Sequence, residues 1–179
     1  MKRIGILAAS AAAVVAATVF AASAHADLLA TGTTAPNFTL PSQDTPAVSL
    51  ADYKGKWVVL YFYPKDKTQG CTIEAHNFQR DLDKYKAANA VVLGVSLDTA
   101  ESHQSFCSKE SLTFKLLADT EHKVADAYGV KVVSYGVMKI EDRETVLIDP
   151  SGKIAKTWPK VDPNVHSEEV LAALASLQK

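Results

Sequence analysis

The chain is poor in cysteine, arginine and net charge, and each shortage narrows what it can do. Only Cys71 and Cys107 occur among 179 residues, and neither belongs to a Cys-x-x-Cys motif, since Glu74 stands where the second cysteine of such a motif would follow Cys71. A formal net charge of −1 gives no bulk electrostatic hold on nucleic acid or an anionic membrane. Internal repeats are missing, as are low-complexity linkers after the N-terminal segment. With 47% hydrophobic and 22% charged residues, the composition is that of one soluble globular domain rather than a disordered chain.

Long apolar runs are also scarce, and the single exception is N-terminal. Lys2 and Arg3 precede an uncharged stretch from Ile4 to Ala24, and Ala24-His25-Ala26 reads as a small-x-small cleavage site. This is the pattern of a secretory signal peptide over residues 1–26, with cutting expected after Ala26 and a periplasmic or secreted destination. The length of the run leaves a retained anchor as the alternative, although its many alanines and Ser10 and Ser23 weaken it as a span. No membrane association is expected after cleavage. The mature domain, residues 27–179, carries a net charge of about −3. In an oxidising compartment the simplest reading of its two cysteines is a structural disulfide.

What is present is an alternation of strand and helix signals. Trp57 to Tyr63 is a continuous apolar run rich in β-branched and aromatic residues, and Val91 to Leu97 is a second apolar run; both read as strands covered on two faces. Between them Ala75, Phe78, Leu82 and Tyr85 recur at helical spacing from Cys71 onward, predicting one amphipathic helix. Asp98 with Glu101 predicts the cap of a second helix running through Glu110. A short strand is expected over Phe114–Leu117 and a short helix around Val124 to Tyr128, ended by Gly129. Asp149-Pro150-Ser151-Gly152 predicts a hairpin turn between Glu144–Asp149 and Lys153–Trp158, and Val170 to Leu177 a closing helix. The expected fold class is α/β, a central mixed β-sheet flanked by helices.

Cys71 stands where a buried strand, stopped by Pro64, hands over through a polar loop to a helix. Unpaired N–H groups and the helix dipole there favour thiolate, the reactive form of cysteine. An inert buried thiol is the plain alternative. Its neighbours argue otherwise. Pro64-x-x-x-Thr68-x-x-Cys71 resembles the active-site signature of the peroxiredoxins, and Tyr61-Phe62-Tyr63-Pro64-Lys65-Asp66 resembles their peroxiredoxin Q (bacterioferritin comigratory protein) subfamily. Ala35 to Leu40, Leu50 to Lys56, Gly94 to Ser96, Leu116 to Asp119 and Arg143 to Asp149 follow in the family's order, so the likeness covers nearly the whole mature chain.

The resemblance implies a thioredoxin-like fold and a thiol-dependent peroxidase without a cofactor or metal. It implies that Cys71 attacks hydrogen peroxide or an organic hydroperoxide and becomes sulfenic acid. Thr68 would bond the thiolate and the peroxide, Pro64 would keep water away, and Arg143 would stabilise the developing charge. Arg143 is the better candidate of the two mature arginines, because Arg80 lies about 200° around the helix from Phe78. Glu74 reads either as an orienting partner for Arg143 or as a surface carboxylate.

Many members of the subfamily place a second cysteine five residues after the first, where this chain has His76. The chain instead resembles the branch whose resolving cysteine lies on the later helix, which implies an intrachain Cys71–Cys107 disulfide, then reduction by a thioredoxin-like dithiol protein. The likeness also implies a monomer. A buried free thiol is the alternative for Cys107. Other functions stay open on the residues alone: exported thioredoxin-like thiol–disulfide exchange, an exported metal-handling module, or a static disulfide-stapled domain. His76 and His103 lie near cysteines in sequence without supplying a recognised ligand set.

Overall fold

Continuous apolar runs form the strands around which everything else packs. The structure, a computed structural model, describes residues 27–179; the expected signal peptide lies outside the described residues. Short strands β1 (Thr39–Leu40) and β2 (Val48–Ser49) precede a 3₁₀ turn at Leu50–Tyr53. Then follow β3 (Trp57–Phe62), α1 (Gln69–Arg80), α2 (Leu82–Ala87), β4 (Ala90–Ser96), α3 (Ala100–Glu110), β5 (Lys115–Ala118) and α4 (Lys123–Tyr128). The chain ends with β6 (Val132–Tyr135), β7 (Met138–Glu141), β8 (Glu144–Ile148), β9 (Ile154–Trp158) and α5 (His166–Leu177).

The main sheet has the order β5-β4-β3-β8-β9. It is parallel across β5, β4 and β3, and antiparallel from β3 to β8 to β9. This is the mixed sheet expected from the strand–helix alternation. Because β3 is central and covered on both faces, Val58 to Tyr63 are buried without interruption. Tyr61, Tyr63, Phe78, Phe106, Leu116, Trp158 and Leu174 fill one side of the sheet, together with both cysteines. Leu60, Phe62, Val95, Tyr128 and Ile148 fill the other, covered by α4 and the N-terminal segment. Leu28 and Leu29 pack there, and Leu29 N–H bonds to the Tyr128 carbonyl at 3.1 Å. No helix among the described residues is long and apolar enough to cross a membrane.

Two local expectations need correction, and one element was not expected. The single helix expected from Cys71 through Tyr85 is broken at Asp81. The Asp81 carboxylate is turned inward and accepts from Arg80, Lys84 and Ser167. The cap of α3 is Thr99, whose hydroxyl accepts from Ser102 N–H at 3.3 Å. Asp98 is occupied elsewhere, accepting from Asp66 N–H at 2.8 Å and from the Ser96 hydroxyl at 3.0 Å. The β6–β7 hairpin was not foreseen; its tip exposes Tyr135, Val137 and Met138. The Asp149–Gly152 turn forms as expected, with Gly152 N–H on the Asp149 carbonyl at 2.9 Å and Gly152 at φ 84°.

Candidate active site

The end of β3 and the start of α1 build the site. Tyr63 N–H still pairs with the Val95 carbonyl at 3.1 Å, and the half-buried Pro64, lacking an N–H, then ends the ladder. The loop folds back through Lys67, at φ 64°, and α1 begins at Gln69. Cys71 is therefore in the first turn, where backbone N–H groups lack helical partners. Its side chain is almost wholly enclosed, with 1% of the residue exposed.

The antiparallel register sets Glu144 opposite Phe62, so the residue before it, Arg143, arrives just past the end of β3. Its guanidinium forks. Nη2 donates to Cys71 Sγ at 3.2 Å, and Nη1 donates to Glu74 Oε2. Gly70 makes room for the fork, since a Cβ at that position would lie 3.3 Å from Arg143 Nη2. Glu74, one helical turn after Cys71, is fully buried, and its Oε1 has no partner among the described residues. Burial drives its carboxyl up to about 7 against the opposing pull of Arg143. Of the two readings of Glu74 open from sequence, the geometry matches the orienting partner rather than the surface carboxylate. Arg80 lies instead on the exposed face, paired with Asp81 and Glu168.

Thr68 is the N-terminal flanking residue of α1, but its hydroxyl donates to the Lys65 carbonyl at 2.9 Å. No Thr68–Cys71 hydrogen bond is present. Cys107 is buried in the last part of α3, and no disulfide joins it to Cys71 in this structure. Burial first, then the Asp66 and Asp44 carboxylates, push the Cys107 thiol up to about 12. The two sulfurs belong to one apolar cluster on separate helices.

Two polar constellations around the site had no signal in the sequence pattern. In the first, Asp66 accepts from the Tyr63 hydroxyl at 2.7 Å and the Ser102 hydroxyl at 2.7 Å, and faces His103 Nδ1 at 2.9 Å. In the second, His166 Nε2 meets the Thr145 hydroxyl at 2.8 Å behind the Arg143 strand. His76 holds Glu110 of α3 at 3.1 Å. Among the described residues no group of three or more His, Cys, Asp or Glu side chains is arranged to hold a metal ion.

A buried cysteine at a helix start, forked by an arginine from a neighbouring strand, sits in a mixed-sheet α/β fold. The sequence profile of the AhpC/TSA family matches residues 31–157, and the chain belongs to that family. Within it the likeness is to the peroxiredoxin Q, or Bcp, subfamily. Peroxiredoxin Bcp of Bacillus subtilis is 43% identical over 152 residues, covering 83% of this chain and 96% of that protein. A PrxQ mutant from Xylella fastidiosa has a TM-score of 0.78 and 34% identity, covering 88% of this chain and 100% of that one. The bacterioferritin comigratory protein of Xanthomonas campestris, studied for its alkyl peroxide reduction activity, has a TM-score of 0.74 and 34% identity, covering 79% and 92%. Peroxiredoxin Q from the same organism has been solved as two Cys→Ser mutants whose mutated positions are as far apart in sequence as Cys71 and Cys107. The enzyme is thus a peroxiredoxin, a thiol peroxidase that reduces peroxide at the expense of a thiol.

Proposed function

We propose that Cys71 is the peroxide-reducing cysteine and Cys107 its resolving partner, in an exported enzyme. One observation carries the first assignment: the Arg143 guanidinium donates to Cys71 Sγ at 3.2 Å inside an enclosed helix start. The Cys71 sulfur attacks one peroxide oxygen as the O–O bond breaks, giving sulfenic acid, and the other oxygen leaves with a proton as water or alcohol. Arg143 holds the charge that moves from sulfur to the departing oxygen. Pro64 shields the sulfur from water. The Thr68 hydroxyl turns from the Lys65 carbonyl to the incoming peroxide. Alkyl hydroperoxides join hydrogen peroxide as substrates, in keeping with the activity studied in the Xanthomonas campestris relative.

Cys107 then attacks the Cys71 sulfur, an S–S bond forms, and hydroxide leaves with the Cys107 proton as water. The matching separation of mutated cysteines in the Xanthomonas campestris structures supports this pairing. Both thiols are buried on separate helices and a disulfide needs Cα atoms within about 7 Å, and in this scheme both segments open locally to form it. A thioredoxin-like dithiol protein reduces the disulfide, and the enzyme works as a monomer. Removal of residues 1–26 after Ala26 delivers it to the periplasm or beyond.

Stopped-flow peroxide consumption with a dithiol reductant tests the scheme. Cys71→Ser abolishes turnover, and Cys107→Ser gives one fast turnover followed by a stall. Undiminished turnover in Cys71→Ser refutes it.

A further inference from the structure

The Asp66 constellation joins two parts that must separate. Asp66 belongs to the loop between Pro64 and Thr68, while Ser102 and His103 belong to the first turns of α3, whose later part carries Cys107. All its polar contacts cross that boundary or brace it. The Ser102 hydroxyl donates to Asp66 Oδ2 at 2.7 Å, and His103 Nδ1 faces the same oxygen at 2.9 Å. The Tyr63 hydroxyl donates to Asp66 Oδ1 at 2.7 Å and lies 3.3 Å from His103 Nδ1. Asp66 N–H is fixed in turn to Asp98 at 2.8 Å.

This tie is strong for a physical reason. His103 and Tyr63 are fully enclosed, and water cannot replace their hydrogen bonds without opening the helix. Burial opposes the Asp66 charge, yet the bonds from His103, Ser102 and Tyr63 outweigh it and hold the carboxyl below its ordinary value. The ion pair from the Cys71 helix to α3, His76 to Glu110, is half exposed on the His76 side and correspondingly weak. His103 and Cys107 are one helical turn apart, so they share a face of α3. His103 Nε2 has no partner among the described residues, so its only anchor is the Asp66 side.

We infer that Asp66, Ser102 and His103 form a latch that keeps α3 folded, withholding Cys107 from the Cys71 sulfenic acid and so setting the rate of disulfide formation. The three are positioning residues, since none hydrogen-bonds either sulfur. Slow release of α3 lengthens the life of the sulfenic acid and exposes it to a second peroxide. The inference rests on Cys107 being the resolving cysteine.

Rapid mixing with one equivalent of hydrogen peroxide, then acid quench and mass mapping, separates the two steps. Sulfenic acid formation is timed by peroxide loss, and disulfide formation by the loss of both thiols. His103→Ala and Ser102→Ala are expected to speed disulfide formation about tenfold while the peroxide step stays as in wild type. Both should show less sulfinic acid on Cys71 when peroxide is in excess. His103→Asn, which can still donate to Asp66, should behave as wild type. Unchanged disulfide formation in both alanine variants overturns the latch, as does equal slowing of both steps. Ser102→Ala removes a single hydroxyl and keeps the test open should His103→Ala fail to fold. Absence of a Cys71–Cys107 disulfide in wild type would instead refute the resolving role itself, and the latch with it.

Discussion

Arg143 divides one planar fork between a sulfur and a carboxylate, and lysine offers no equivalent. Arg143→Lys should therefore lower the second-order rate of peroxide reduction about 100- to 1,000-fold, measured by stopped flow in a Cys107→Ser background. A second residue prediction concerns Glu141. Its two carboxylate oxygens are buried without partners among the described residues, and burial drives its carboxyl well above the ordinary range. The folded state therefore holds this proton to higher pH than the unfolded state does. The stability that this group contributes is fully present below about pH 4 and is lost as pH rises through the interval between the unfolded and folded values. Glu141→Gln should flatten that decline in denaturant unfolding followed from pH 4 to 8; an unchanged slope would contradict it. Cys71 and Arg143, which the structure brings together, were marked by a local motif and by the scarcity of arginine; the same motif marked Thr68 and Pro64, and the Thr68 hydroxyl here bonds the Lys65 carbonyl rather than the sulfur. Glu74 was ambiguous, since its burial depends on where β8 delivers Arg143. Asp66 and His103 were invisible as a pair, because nothing local links residues 37 positions apart.

At the scale of elements, β3 and β4 announce themselves through apolar runs rich in β-branched and aromatic residues, and the Asp149–Gly152 turn through its residues. The breaks do not. At the Asp81 break the carboxylate turns inward to Arg80, Lys84 and Ser167, and Ser167 lies on a distant element that no local pattern reports. The β6–β7 hairpin was missed although Gly136 separates two apolar pairs. Gly94 shows how tightly the elements meet around the cysteines. A Cβ there would lie 2.6 Å from Leu116 Cδ2 and 2.8 Å from the Tyr61 ring, which packs among Phe78 and Phe114. Gly94→Ala should lower stability by about 1–3 kcal/mol through overpacking. Thermal unfolding checks this, and an unchanged midpoint would contradict it.

The whole molecule is a two-sided sheet whose second side is completed by the segment just after the expected cleavage point. Leu28 and Leu29 cover that core, and the Leu29–Tyr128 hydrogen bond fixes them to the end of α4. Deleting residues 27–30 should therefore cost about 1–3 kcal/mol relative to the 27–179 chain, read by denaturant unfolding, without altering the distance from Arg143 to Cys71. The α/β class was readable from alternating periods, whereas the strand order depended on β8 inserting beside β3, which no local pattern reports.

All of this depends on one sulfur. In a Cys107→Ser variant given one equivalent of hydrogen peroxide, a sulfenic-acid trap such as dimedone should label Cys71 stoichiometrically as the peroxide disappears. Persisting peroxide with an unlabelled Cys71 thiol would contradict the account at its centre.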